Sequence, residues 1–301
     1  MEQAVPRLSV VITSYNARET IAACLASLHR QTSEHAFEIV LVDSSTDGTA
    51  ALVEERFPEV RLIRSTRRLH CGDARNRALT AARAGVIAFL DADCTVESHW
   101  VDRVLRAHRP DVLLAGGVID NAERRSLVGW AYYFCEYSLW LPARSARRMR
   151  EMAGCCLSLK RAAYERYGPF IEGTYSSDTA FQWKASREGV RVLFTPEIRV
   201  FHRGPTNFRR FLAHTYIHRQ AYARVRAREK ELGALRRAAD VAILPITPLL
   251  LMGATLVRLR RWPGYFFYWL LCAPLLFSGY CARSAGEFSG YLREWQAGHH
   301  R

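Results

Sequence analysis

Polar residues cluster at four points along the first hundred positions where apolar, β-rich stretches stop: Thr13-Ser14-Tyr15-Asn16, Asp43 through Thr49, Gly72 through Asn76, and Asp91-Ala92-Asp93. The last of these is the most pointed chemically. Two carboxylates one residue apart offer hard oxygen donors to a single cation, and a divalent ion held there can bridge the oxygens of a diphosphate. The usual backbone cradles for phosphate are absent, since the chain has neither a GxGxxG fingerprint nor a GxxxxGK[ST] loop. Phosphate charge has to be met in another way. Eight cysteines (Cys24, Cys71, Cys94, Cys135, Cys155, Cys156, Cys272 and Cys281) form no CxxC pair and no metal-ligand spacing with histidine, so they support neither a zinc module nor a redox motif. A reducing compartment is expected, and no signal peptide precedes Leu8.

The elements that must place these residues alternate two periods. Leu8 to Thr13 reads as a strand, after which Ile21, Cys24, Leu25 and Leu28 recur at helical spacing. The same alternation gives a strand over Phe37 to Asp43, a helix over Gly48 to Phe57, a strand over Val60 to Ser65 and a helix over Asp73 to Ala84. Val86 to Leu90 is nearly all apolar, as a central strand covered on both faces would be. The pattern predicts an α/β fold with a mostly parallel central sheet, helices on both faces, and ligands at the carboxyl ends of the strands. After about residue 110 it changes. Val112 to Ile119 reads as a strand, and an aromatic stretch from Trp130 to Trp140, either core or an acceptor platform, precedes a basic patch from Arg144 to Arg150. Residues 178 to 188 read as a helix, and Val190 to Phe194 and Ile198 to His202 as short strands.

Composition supports a folded protein. The 301 residues are 49% hydrophobic and 24% charged, which excludes a disordered or fibrous class. Lys and Arg number 43 against 29 Asp and Glu, a formal charge of +14, and only Lys160, Lys184 and Lys230 are lysine. The densest basic stretch, Arg219 to Arg237, lies in a helical segment over 207 to 237 and abuts two apolar runs, Val241 to Val257 and Tyr265 to Ala282. Each run is near the lower length limit for a bilayer-crossing helix. Arg258, Arg260 and Arg261 in the short connection leave a spanning and a re-entrant or interfacial hairpin both open, with a buried helical hairpin as the plainer alternative. Charge in this position suits an anionic lipid surface. With no recognised module present, nucleic acid is excluded as a partner.

Five segments, Ser9-Val-Val-Ile-Thr-Ser-Tyr-Asn16, Val42-Asp-Ser-Ser-Thr-Asp-Gly-Thr49, Gly72-Asp-Ala-Arg-Asn76, Phe89-Leu-Asp-Ala-Asp93 and a stretch from Gly154 through Ser177-Asp178 to His202, resemble in order and spacing a family 2 glycosyltransferase with the GT-A, Rossmann-like fold. The type is the inverting transferase of bacterial envelope glycans. The resemblance covers roughly residues 8 to 205. It implies that Thr13, Tyr15 and Asp43 line the pocket for the donor's base and ribose, that Asp91 lies at the ribose and diphosphate side with Arg75 assisting the diphosphate, and that Asp93 and His202 hold Mg²⁺ or Mn²⁺. It also implies that Asp178 is the catalytic base. The chemistry agrees: inverting transfer needs one carboxylate to take the acceptor hydroxyl's proton and a metal opposite to stabilise the departing nucleoside diphosphate. Each position has a plainer alternative, since Asp93 and Asp178 both stand where acids cap helices and a strand-end histidine is often only hydrogen-bonded.

The second segment is shorter than in relatives, which leaves the donor base open, and Ser177-Asp178 replaces the usual Glu-Asp pair. No QxxRW motif follows, and with only two apolar segments a processive synthase is not expected. The resulting expectation is a catalytic domain over 1–205, a basic helical linker at the membrane surface over 206–237, and a membrane-associated hairpin and tail over 238–301. The chain would transfer one hexosyl-type sugar from a nucleotide-sugar to a glycan or lipid-linked acceptor, at the cell membrane with its catalytic domain on the cytoplasmic side. The alternatives are a catalytically inactive scaffold or sugar-nucleotide binder of the same fold, and, further off, a sugar nucleotidyltransferase, which would carry a glycine-rich, lysine-containing loop after strand one.

Overall fold

The computed structural model describes residues 5–143 and 145–298, so Arg144 of the basic patch, residues 1–4 and the tail residues 299–301 lie outside the described residues. In chain order the elements are β1 (Leu8–Ser14), α1 (Ile21–His29), β2 (Phe37–Asp43), α2 (Thr49–Arg56), β3 (Arg61–Arg64), α3 (Cys71–Ala81), β4 (Val86–Asp91), β5 (Cys94–Val96), α4 (Trp100–Ala107), β6 (Leu114–Asn121), α5 (Leu127–Tyr137), β7 (Arg147–Met149), β8 (Leu157–Lys160), α6 (Arg161–Tyr167), α7 (Ser177–Arg187), β9 (Val192–His202), α8 (Phe208–Glu229), α9 (Ala234–Ala242), α10 (Thr247–Leu259) and α11 (Pro263–Gly298). They form two compact units, Met1–Asp120 with Trp140–His202, and Asn121–Leu139 with Arg203–Arg301.

The first unit is a mixed α/β sheet in the order β3-β2-β1-β4-β8-β6-β9-β5, with β7 paired to β9. β3, β2, β1 and β4 run parallel, as the βαβ alternation requires. Their interior is apolar on both faces, with Val10, Val11, Ile12, Val40, Leu41, Ile87, Ala88 and Phe89 all nearly inaccessible. β3 ends the sheet and shows Arg61 and Arg64 to solvent, which blunts a free edge. The other half of the sheet is antiparallel: β8 runs against β4 and β6, and β5 and β7 run against β9. A mostly parallel sheet is therefore found only where helices cross between consecutive strands.

Two short strands expected near the end of this unit are one, β9. Pro196 lies between the two expected strands. In the sheet it falls between the residues that pair with β7 (Val192 to Phe194) and those that pair with β5 (Val200 to His202), so its missing N–H costs no bond to β7 or β5.

The second unit is helical. The segment expected as one helix over 207–237 is α8 and α9, broken at Glu231, whose φ of 47° is left-handed, and Gly233. α9 and α10 meet at a bend of 71° around Pro245. α11 packs along α8 through glycines: a Cβ on Gly286 would stand 2.4 Å from the Tyr216 carbonyl oxygen and one on Gly290 2.4 Å from that of Gln220, so only glycine permits the approach. The aromatic stretch on α5 is core. Trp130, Tyr132, Tyr133 and Phe134 are buried, and Trp130 stacks on Tyr268 of α11 at 4.3 Å.

Much of the basic charge of this unit is met internally. Arg219 pairs with Glu136, Arg226 and Arg236 with Asp240, and Arg224 and Arg228 with Glu294, at 2.7–3.6 Å. The stretch 219–237 is thus less of a lipid-seeking surface than its composition suggested, because Glu136 and Glu294, distant in sequence, and the nearby Asp240 fold onto it.

Candidate active site

The carboxyl ends of β1, β2 and β4 lie side by side. Register pairs Ser14 with Asp43 and Thr13 with Asp91, so three of the four polar clusters come to one edge by strand pairing alone. Asp43 is 2% exposed, and its Oδ1 accepts the Ser14 hydroxyl at 2.5 Å and the Ser45 hydroxyl at 2.6 Å. The loops after β1 and β2 then interlock, with Asn16 N donating to Ser45 Oγ, Thr46 N to Asn16 Oδ1, and Arg18 N to Asp47 Oδ2. Tyr15 is exposed at the rim, its ring covered by the Arg68 guanidinium at 4.4 Å. Thr13 is half-buried between them.

The Asp91/Asp93 end gains its histidine from the antiparallel half of the sheet. β5 begins directly after Asp93, and Cys94 stands opposite His202 in its ladder with β9. His202 Nε2 lies 3.5 Å from Asp93 Oδ1, and ligand atoms of Asp93, Cys94 and His202 all fall within 4.8 Å of one another. Asp93 and His202 were expected together; Cys94 joins them because β9 brings the histidine alongside β5 from across the sheet. One carboxylate oxygen and one imidazole nitrogen fit Mn²⁺ or Mg²⁺ better than a thiol-loving ion. Burial pushes the Cys94 thiol well above its ordinary value.

Asp91 lies beside this group at the end of β4. Solvent still reaches about a third of its side chain (32%), yet desolvation in the cleft raises its carboxyl to about 6, Arg75 acting against this and Asp93 with it. Arg75, on α3, is 3% exposed and lies between two carboxylates, with Nη2 3.6 Å from Asp91 Oδ1 and Nη1 4.0 Å from Asp178 Oδ1. Burial opposes its charge, but Asp178 and Asp91 outweigh it and hold the proton more firmly than usual. The Phe89 and Phe170 rings flank the guanidinium at 5.2 and 5.9 Å, and a Cβ on Gly154 would meet it at 2.3 Å. Arg75, expected beside the diphosphate, is a buried link between Asp91 and Asp178.

Asp178 sits in the first turn of α7, after Ser176 in the left-handed region (φ 62°). The rest of the Gly72 to Asn76 segment fixes the loop that leads there. Gly72 touches Ile171, where a Cβ would come within 2.1 Å of the carbonyl oxygen. Asp73 accepts from Gly173 N, and the Asn76 amide both donates to Phe170 O (2.9 Å) and accepts from Phe170 N (3.0 Å). From the other side, buried Gln182 holds Met152 by both its N–H and C=O and donates to Asp178 O. Neither Asn76 nor Gln182 stood out in the sequence as a positioning residue; a polar residue one turn along a helix from a site acid, as Gln182 is from Asp178, is the signal that could have found it. In sum, Thr13, Tyr15, Arg75, Asp91, Asp93, Asp178 and His202 gather at one edge of the sheet, and Asp43 reaches it but is enclosed by serines.

Comparison with known proteins agrees with this geometry. The sequence model of the family "Glycosyl transferase family 2" matches residues 9–167. The succinoglycan biosynthesis protein ExoO of Rhizobium meliloti is 36% identical over 126 residues, 42% of this chain and 36% of that protein. Glycosyltransferase AglE of Haloferax volcanii is 29% identical over 126 residues, 40% of this chain and 41% of that protein. The matched stretch thus spans well under half the length of these relatives. Among solved structures, mannosyltransferase PcManGT from Pyrobaculum calidifontis, in complex with GDP-Man and Mn²⁺, superposes with a TM-score of 0.64 at 20% identity, covering 98% of this chain and 88% of that one. TarS 1-349 of S. aureus, in complex with UDP-GlcNAc, gives 0.53 at 16% identity, covering 96% and 92%. These two share the GT-A fold of the first unit.

Proposed function

The chain belongs to glycosyl transferase family 2, and on that premise we propose that it transfers a single hexosyl-type sugar from a nucleotide-sugar donor to an envelope glycan or lipid-linked acceptor, with inversion and without processivity. The observation that carries this reading is the gathering of Asp91, Asp93 and His202 on one side of buried Arg75, with Asp178 on its other side. The complexes of PcManGT with GDP-Man and Mn²⁺ and of TarS with UDP-GlcNAc support a nucleotide-sugar as donor.

In this reading Asp93 and His202 hold Mg²⁺ or Mn²⁺, with Asp91 beside them. Such an ion, when bound, stabilises the negative charge of the departing nucleoside diphosphate. This chain's own side chains do the rest. Thr13 and Tyr15 border the base and ribose, and Asp43 acts through the serines that shape the loops around it. Asp178 takes the proton of the acceptor hydroxyl as that oxygen attacks the anomeric carbon. Arg75 keeps Asp91 and Asp178 oriented and lowers the cost of two carboxylates near each other and near an anionic donor. The apolar exposed helices of the second unit support a site of action at the cell membrane, with the catalytic domain on the cytoplasmic side.

The test is a panel of nucleotide-sugars incubated with purified protein and Mn²⁺ or Mg²⁺, scored for nucleoside diphosphate release. Turnover with at least one donor, lost on chelation, is expected. Nucleotide binding with no release from any donor, in the presence of membrane-derived acceptors, would contradict the reading and favour an inactive binder of the same fold.

A further inference from the structure

The second unit turns an apolar side to solvent. On α10 and the residue before it Ile246, Leu249 and Leu250 are exposed, and on α11 Phe267, Leu270 and Leu271. The i, i+3, i+4 spacing marks one stripe on each helix. A helix whose outer side meets water carries charge there. Here residues 242–257 and 263–282 contain none, and charge returns only at the exposed Arg260 and Arg261 in the connection and at Arg258. The inner side is the more polar one: Thr255 and Tyr280 share a hydrogen bond of 2.6 Å, and Arg258 donates to Ser138. Contiguous apolar surface of this kind marks a contact site.

Length decides how the surface can be used. α10 has 13 residues, about 20 Å of helix, against about 30 Å of bilayer hydrocarbon. α11 is longer, but from Gly279 onward it packs on α8, first at Phe211 and then at Tyr216 and Gln220. α8 carries Arg209, Arg210, Arg219 and Arg224 and does not belong in hydrocarbon. That leaves 263–278, about 24 Å at 1.5 Å per residue. Pro263–Glu294 as a whole is long and apolar enough to cross, but the parts free of α8 are each shorter than the hydrocarbon.

We propose that this face lies in the plane of one anionic lipid leaflet as a monotopic anchor, with Arg260 and Arg261 at phosphate level and the α10 and α11 stripes in the acyl boundary; this rests on the membrane-associated reading above. Charge complementarity selects lipid over a second copy. No acidic residue occurs between Asp240 and Glu287, so two such faces meeting symmetrically would bring arginines to arginines with no carboxylate between them. Lipid phosphate supplies that counter-charge, and the mean hydropathy of 1.4 within Pro263–Glu294 suits acyl chains.

The full chain is added to preformed vesicles of equal parts phosphatidylcholine and phosphatidylglycerol. Single cysteines at Leu250, Val257, Phe267 and Leu271, in a chain with exposed Cys281 changed to serine, carry an environment-sensitive fluorophore read against lipids with quenchers at headgroup or mid-chain. All four labels are expected at one shallow depth. Reversing both exposed arginines, Arg260→Glu with Arg261→Glu, leaves the fold intact and weakens vesicle binding by at least about 25-fold, about five-fold for each charge removed. Depths graded along the helices, deepest at 257 and 267, would overturn the in-plane arrangement while leaving membrane association standing. Failure to bind vesicles would overturn the membrane reading itself, and a dimer in solution that no longer binds vesicles would assign the face to a second copy.

Discussion

Replacing Arg75 by methionine removes the cation between Asp91 and Asp178 while keeping a side chain of similar reach against Phe89 and Phe170. Breaking a fully buried ion pair by deleting one partner costs about 3–5 kcal/mol. Here the guanidinium is 3% exposed but Asp91 keeps 32% of its side-chain exposure and Asp178 17%, and the contacts of 3.6 and 4.0 Å exceed hydrogen-bond length. Discounting for that solvent access leaves about 2–3 kcal/mol, or roughly 30- to 150-fold in the population of opened molecules. The loss depends on pH in a defined direction. Asp91 titrates at about 6 with Arg75 in place, and Arg75 is the chief influence holding it down, so in the variant its carboxyl takes up a proton at a higher pH. A group whose folded-state value is raised favours the folded form when protonated, so the penalty is largest at pH 8 and shrinks as pH falls toward 5.5. Native-state hydrogen exchange of the β4 and α3 amides, with chelator present, reads the first unit alone. A destabilisation below 1 kcal/mol at pH 8, or one that does not change between pH 8 and 5.5, would refute the view of Arg75 as an electrostatic link.

Three further outcomes are expected. Asn76→Ala loses the paired bonds to Phe170 N and O and leaves those backbone groups unmatched, costing about 2–3 kcal/mol and raising exchange in the loop ahead of Asp178; unchanged exchange there would count against the clamp. Mn²⁺ affinity, followed by paramagnetic resonance, declines as pH drops through about 6 because the negative charge of Asp91 beside the site favours the cation; Asp91→Asn removes that component, and an identical pH profile in the variant would speak against it. Gly286→Ala forces a methyl against the Tyr216 carbonyl and lowers the melting temperature of the helical unit through an overpacking cost of about 1–3 kcal/mol, whereas a neutral result would mean that α8 and α11 separate easily.

The parallel half of the sheet was legible because β1, β2 and β4 each carry a run of apolar residues that stops at polar ones: β2 was read at its observed bounds, Phe37–Asp43, and β4 to within one residue. The antiparallel half was harder to read. β5, β7 and β8 are three or four residues long, too short for periodicity to register, and their places are set by partners distant in sequence. The same reason hid the surroundings of the candidate site. Asp91, Asp93, Asp178 and His202 were named from strand ends and from family resemblance, but that Cys94 faces His202, or that Arg75 is buried between two carboxylates, follows only from the pairing of β5 with β9 and the packing of α3 against α7. The basic stretch before the apolar helices misled for a related reason. Its countercharges, Glu136, Asp240 and Glu294, are supplied by α5, α9 and α11, so a local sum of charge overstated what that surface offers to lipid.

The central claim is that Asp178 acts as base opposite a metal end formed by Asp93 and His202. The direct test is single-turnover transfer by Asp178→Asn with a donor and acceptor that the native chain uses, alongside Mn²⁺-dependent nucleotide binding by the same variant. The account predicts transfer reduced by about 10²- to 10⁴-fold, the usual contribution of a general base, with nucleotide affinity close to native. Transfer at the native rate would contradict it.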